Sequence, residues 1–186
     1  MNVTPFPVLK TEHLILRVLK PEDAPELLAL RSDDRVNAYI DRPPTTTLEE
    51  AGNFINRILG GVKNNSCFYW AITLSGSAKV IGTICLWNFK AARKLAEVGY
   101  ELLPEHQGKG LMQEALTEVV GYGFRNLGLE VLLAVTHRQN AASVRLLQRL
   151  DFQPDPDQEF EEPENNADLT LYYLKKNFWA ARLNPL

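Results

Sequence analysis

The chain has little that would hold it together covalently or through a metal. Its 186 residues include only two cysteines, Cys67 and Cys85, and three histidines. Both cysteines sit in apolar, strand-like stretches with neither disulfide-framework nor metal-ligand spacing, so they are expected to be buried free thiols. His13, His106 and His137 form no His-x-x-x-His pair, so no metal is expected. No apolar run approaches the ~18 residues of a membrane span. The opening MNVTPFPVLKTEH lacks a basic segment followed by an apolar one and does not read as a secretory signal. Excess basic charge is missing too. Twenty Lys and Arg against 23 Asp and Glu give a net charge of −3, which argues against the basic footprint of a nucleic-acid binder. The expectation is a soluble, cytoplasmic monomer or homodimer with no nucleic-acid or membrane partner.

What remains is an ordinary globular composition, 45% hydrophobic and 23% charged, able to fill the core of one domain over residues 1–186. Residues 13–19 read as a strand. Pro21, Glu22 and Asp23 suit a first helical turn, and Ala24, Leu27, Leu28 and Arg31 mark a helical face. Thr47-Leu48-Glu49-Glu50 is a capping box. Ala51, Phe54, Ile55, Ile58 and Leu59 then follow at helical spacing, with Gly60-Gly61 as the expected stop. Residues 68–74 and 80–87 read as a hairpin, and residues 95–103 as a third strand. After a glycine turn, Met112, Leu116, Val119, Val120, Phe124 and Leu127 form one side of a helix that Gly128 is expected to end. A short apolar strand at 131–136, a helix near 141–150, an acidic stretch at 153–166 and a strand at 169–174 complete the order. Such a meander followed by one crossover predicts an α/β architecture with a mixed sheet and helices on its faces.

The turn at residues 107–112, Gln-Gly-Lys-Gly-Leu-Met, joins a strand to a helix. Glycines let backbone approach a phosphate there, and the first helical N–H groups lack intrahelical partners. It is not a metal–nucleotide P-loop, because Lys109 lies between the glycines and no hydroxyl follows Gly110. It also departs from the dinucleotide fingerprint: Gln113 stands at the third glycine position, and the sequence offers one crossover unit rather than two.

The turn instead resembles the Gln/Arg-x-x-Gly-x-Gly/Ala pyrophosphate loop of the GNAT superfamily of N-acetyltransferases, with Met112 where Gly or Ala is usual. A second block, residues 140–152, is similar to the family's Asn-x-x-Ser/Ala-x-x-Leu-x-x-x-x-Gly-Phe, with Asp151 in place of the glycine. Thr11-Glu12-His13-Leu14-Ile15-Leu16-Arg17 and Ala96-Glu97-Val98-Gly99-Tyr100-Glu101-Leu102 resemble the branch that acetylates N-terminal amines of ribosomal proteins. The resemblance covers about residues 11–176. It implies a GNAT fold: a split, mostly antiparallel sheet of about seven strands with helices on both faces.

It also implies acetyl-CoA as co-substrate, with no metal. The pantetheine arm would pair with the backbone from Tyr100 to Leu103. The pyrophosphate would rest on Gln107, Gly108, Lys109, Gly110, Leu111 and Met112. The Leu102 N–H would face the oxyanion. Glu97, flanked by apolar Val98 and Tyr100, is the candidate general base; Glu159, Glu161 and Glu162 are its rivals. The family's usual thiolate-protonating Tyr falls at Leu147, so Ser143 is expected to take that role, with Asn140 at a pantetheine amide or capping its helix. Tyr39, Trp70, Trp87 and Glu161 are candidate acceptor-binding residues, with core packing the alternative for the three aromatics. The acceptor is a peptide N-terminus or a small amine such as a polyamine or aminoglycoside. The missing Tyr leaves open a non-catalytic acyl-CoA-binding module.

Overall fold

The computed structural model describes residues 5–155 and 168–183. Among these residues eight strands make one sheet: β1 (Leu9–Lys10), β2 (Leu14–Val18), β3 (Phe68–Leu74), β4 (Val80–Lys90), β5 (Leu95–Leu102), β6 (Val131–His137), β7 (Gln153–Pro154) and β8 (Leu169–Lys175). Their spatial order is β1-β2-β3-β4-β5-β6-β8-β7. Neighbours are antiparallel except β5 and β6, which are parallel. The sheet has one strand more than the resemblance implies, and its two outermost strands, β1 and β7, are two-residue edges too short to carry a period. Among the described residues six helices accompany the sheet: α1 (Ala24–Ser32), α2 (Asp34–Asn37), α3 (Leu48–Lys63), α4 (Leu111–Arg125), α5 (Ala141–Arg149) and α6 (Lys176–Leu183). Among the described residues no helix is long and apolar enough to cross a membrane.

The strands sort their side chains by parity. Trp70, Ile72, Ile84, Leu86 and Val98 pack against Ala115, Leu116, Val119 and Val120 of α4. Tyr69, Ala71 and Leu103 pack against Leu27 and Leu30 of α1 and Ile55 of α3. Alternation along each strand therefore gives the sheet two buried faces, and helices cover both. Burying each of the larger side chains contributes about 1.5–3 kcal/mol.

Capping decides the helix limits. Thr47 Oγ1 accepts from the Glu50 N–H at 3.1 Å, and the Glu50 carboxylate accepts from the Thr47 N–H at 3.2 Å. The helix does not stop at Gly60-Gly61. It runs on to Lys63 because Val62 extends the apolar face, and Asn65, at φ 54°, supplies the left-handed residue that ends it. A glycine inside a helix costs only about 1 kcal/mol, less than this packing returns. Likewise α4 ends at Arg125, before Gly128.

Helix α5 closes in a Schellman motif. The Asp151 N–H donates to Gln148 O at 3.1 Å and the Phe152 N–H to Leu147 O at 3.1 Å. Leu147 and Phe152 meet in the core, at 0% and 1% exposure. The motif requires a left-handed residue at Asp151, and its φ is 63°. Glycine takes that conformation without a Cβ clash. Asp151→Gly is therefore expected to raise the unfolding free energy by about 0.5–1 kcal/mol, read as a higher urea midpoint at unchanged m-value.

Candidate active site

The parallel ladder between β5 and β6 is short. It joins Leu95 to Val131, Ala96 to Leu132 and Glu97 to Leu133. Beyond it, β5 continues against β4 as far as Leu102 opposite Gly82. Over the same span β6 continues against β8 as far as His137 opposite Leu169. The two strands thus part after Glu97 and leave a wedge. On the β5 side, the Leu103 N–H donates to Ile81 O at 2.9 Å. Because bonding direction alternates along an antiparallel strand, Val98, Tyr100 and Leu102 turn their backbone groups into the wedge. The Leu102 N–H is among them, whereas Leu103, expected at the cofactor, spends its N–H on β4. Close approach of β4 depends on Gly82: a Cβ there would lie 2.5 Å from Glu101 O.

The glycine turn stands at the mouth of the wedge. Gly108 and Gly110 have φ of 73° and 80°, a conformation that explains their identity, since nothing lies within 4 Å of a Cβ at either. Gly110 caps α4 without a side chain, leaving the first-turn N–H groups of the helix unanswered by any cap. Gln107 Nε2 donates to Leu102 O at 2.8 Å, tying the turn to the end of β5. Lys109 is exposed, and with His13 and His106 it lines a cavity of about 540 Å³. A brace holds the first turn of α4 to the start of β2. The His13 N–H donates to Glu114 Oε1 at 2.8 Å, and His13 Nδ1 lies 3.0 Å from Glu114 Oε2. The bond and charge of Glu114 raise the His13 pKa above its ordinary 6.5.

On the face covered by α1 and α3 lies a charged cluster that the sequence reading missed. Glu101 is 8% exposed. Its carboxylate accepts from Arg42 Nη2 at 2.6 Å, lies 3.6 Å from Arg31 Nη1 and accepts from Thr83 Oγ1 at 3.1 Å. Tyr69 Oη and Thr83 Oγ1 are 3.0 Å apart. Arg31 also lies over the Phe54 ring at 3.9 Å. Burial lowers the Arg31 pKa, Glu101 opposing, and burial together with Glu101 pushes the Tyr69 phenol well up. A guanidinium on the apolar face of α1 and an acid between apolar residues of β5 were the sequence signs of this pair. The cluster ties the linker carrying Arg42 to the strand position next to Leu102.

Glu97 ends the parallel ladder, partly exposed, and accepts from Asn88 Nδ2. Trp87 is directly opposite on β4 and 50% exposed. Tyr39 is 41% exposed, its ring 5.4 Å from that of His137 at the far end of β6. Trp70 is corrected: it is fully buried among Phe6, Phe68 and Tyr122, donates to Pro7 O at 2.9 Å, and faces α4. It lines no groove, because its position in β3 has the opposite parity from Tyr69. Glu159, Glu161 and Glu162 lie outside the described residues.

Asn140 caps α5, its Oδ1 accepting from the Ser143 N–H at 3.1 Å. Ser143 Oγ is 2.8 Å from Tyr100 Oη, and burial pushes the Tyr100 phenol up to about 12. Leu147 is a core residue. Cys67 and Cys85 are free and partly buried, with burial pushing both thiols up. Among the described residues no group of three or more His, Cys, Asp or Glu is placed to hold a metal.

Two outcomes test this geometry. The His13 pKa is higher folded than unfolded, so its contribution is fully present below pH 6.5 and is lost as pH rises through the raised value. The melting-temperature difference between the parent and His13→Ala should therefore shrink between about pH 6 and 8. Glu101→Ala should cost about 3–5 kcal/mol by leaving buried guanidinium groups uncompensated, and Glu101→Gln clearly less, both measured by urea unfolding.

Comparison with known proteins agrees with this arrangement. The acetyltransferase (GNAT) domain pattern matches residues 13–153. YoaA of Bacillus subtilis, an uncharacterized N-acetyltransferase, is 35% identical over 150 residues, covering 81% of this chain and 85% of its own. The ribosomal protein uS5-alanine N-acetyltransferase of Escherichia coli is 26% identical over 155 residues, covering 79% and 78%. Among solved structures, the ribosomal-protein-S5-alanine acetyltransferase of Vibrio fischeri superposes with a TM-score of 0.78 at 23% identity, covering 92% and 98%. RimL, a ribosomal L7/L12 alpha-N-protein acetyltransferase in complex with coenzyme A, does so at 0.78 and 18%, covering 91% and 98%. With the domain matched over most of its length and the split sheet in place, the chain belongs to the GNAT family of N-acetyltransferases.

Proposed function

We propose that this protein moves an acetyl group from acetyl-CoA to a primary amine, by direct attack within a ternary complex, and that the acceptor is a protein or peptide N-terminus. The observation that carries the reading is the wedge: an open strand edge that leads to an uncapped helix N-terminus behind two left-handed glycines. An extended amide-bearing arm can add to such an edge as a strand would, and a pyrophosphate suits the helix end.

In this reading the pantetheine amides pair with Tyr100 and its neighbours. The pyrophosphate rests on the N–H groups of residues 108–112, with Lys109 adding a screened charge. Asn140 caps with its oxygen and keeps its amide nitrogen to donate to a pantetheine carbonyl. The Leu102 N–H faces the oxygen that becomes negative in the tetrahedral intermediate, the geometry that stabilises acyl transfer most. The amine must shed a proton to attack, and Glu97, beside the ladder's end, accepts it directly or through water. Trp87 and Tyr39 flank the acceptor approach on the same side of the sheet as Glu97 and Glu101. The chain acts as one catalytic domain, needs no metal, and works in the cytoplasm as a monomer or homodimer. Preference for a protein or peptide amine rests on the ribosomal-protein acetyltransferases in the comparison, two named for alanine of a ribosomal protein and one as an alpha-N-protein acetyltransferase.

The test is thiol release from acetyl-CoA with peptides beginning with Ala, Ser or Met, set against spermidine and an aminoglycoside. Turnover is expected on the peptides. Glu97→Gln is expected to lower kcat by about a hundredfold. Faster turnover on spermidine or the aminoglycoside would overturn the acceptor. Acetyl-CoA that neither reacts nor raises the melting temperature would overturn the whole reading.

A further inference from the structure

The wedge is crossed by one side-chain contact that the reaction outlined above has not used. Tyr100 stands on β5, three residues past the last parallel pair, and its hydroxyl lies 2.8 Å from Ser143 Oγ in the first turn of α5. The Asn140 cap fixes the Ser143 backbone. Leu147, one turn further along α5, is fully buried and offers no acid. We propose that Tyr100 supplies, through Ser143, the proton taken up by the leaving thiolate. The proposal rests on the acetyl-CoA reading above.

An aliphatic hydroxyl alone is a weak proton donor, whereas a phenol is ordinarily near pKa 10 and a thiol near 8.5. A phenol is protonated at neutral pH without help; burial raises the Tyr100 phenol while its bond to Ser143 opposes that rise. A thiolate released into the same dry wedge is raised by the same desolvation. The C–S bond of the tetrahedral intermediate breaks and its electron pair goes to sulfur. Sulfur takes the Ser143 hydroxyl proton, and Ser143 takes the phenolic proton of Tyr100. Tyr100 regains a proton from solvent, into which Glu97 has released the one shed by the amine. The net change is amine proton to thiol, and no other reagent is consumed. Tyr100 acts through Ser143 and is a positioning residue; Ser143 touches the reacting sulfur.

Single-turnover acetyl transfer to the fastest peptide of the panel tests this, with acetyl-CoA and with its selenoester analogue, whose selenol is the stronger acid and leaves without a proton. Tyr100→Phe should slow acetyl-CoA turnover at least tenfold, with KM for acetyl-CoA changed less than about threefold, and should regain most of the loss on the selenoester. Ser143→Ala should behave alike, and the double variant should be no slower than the slower single, since the residues act as one unit. Equal losses on both donors, a loss confined to KM, additive losses, or full turnover by Tyr100→Phe would overturn the relay while leaving acetyl transfer intact. No transfer from either donor by the parent protein would instead overturn the acetyl-CoA reading, and the relay with it.

Discussion

A β-strand has two hydrogen-bonding edges, and this molecule is arranged around one strand that satisfies only the first. β5 pairs with β4 over nearly its whole length but with β6 for three residues. Unpaired backbone groups are costly when buried, so the second edge must meet water or an added chain. Everything that positions the site follows from that strand. Gly82 lets β4 come close enough to hold it, Gln107 ties its end to the glycine turn, and the Glu101 cluster anchors the acceptor-side linker to it.

Parity along β5 divides the work. Even-numbered residues turn their backbone to the wedge and their side chains toward α4, while Glu97, Gly99 and Glu101 look toward the face of α1 and α3. A donor in the wedge and an acceptor above the other face would meet at one strand without competing for the same atoms. The carboxylate of Glu101 and the N–H of Leu102 are neighbours in sequence yet serve different sides of the sheet.

Where local chemistry decides structure, the sequence was readable. The capping box at Thr47, the two glycines of the turn and the strained residue at Asp151 each declare a backbone requirement within a few residues, and each is met. The six longer strands were visible from their apolar pattern. What stayed hidden depends on partners far apart in the chain. Tyr100 and Ser143 are separated by 43 residues, and Arg42 and Glu101 by 59; no spacing rule links them. Composition leaves Trp70 open between groove wall and core, and the parity of β3 places it in the core. The helix stop at Gly60-Gly61 failed because continued packing outweighed a small local preference.

The split also bears on how the molecule keeps its own strands from sticking to others. Open strand edges are templates for pairing with foreign chains, and proteins commonly blunt them with charge, proline or bulges. Here the two inner edges of the split, on β5 and β6, face each other. Their apex is closed by the Glu97–Leu133 pair, and the Tyr100–Ser143 contact bridges from one arm to the helix that follows the other. A flat incoming strand finds no straight, unobstructed edge to extend, whereas a thin, flexible arm can thread between them. The shape that admits a ligand is thus the shape that discourages pairing at the split, and filling the wedge covers both of its inner edges.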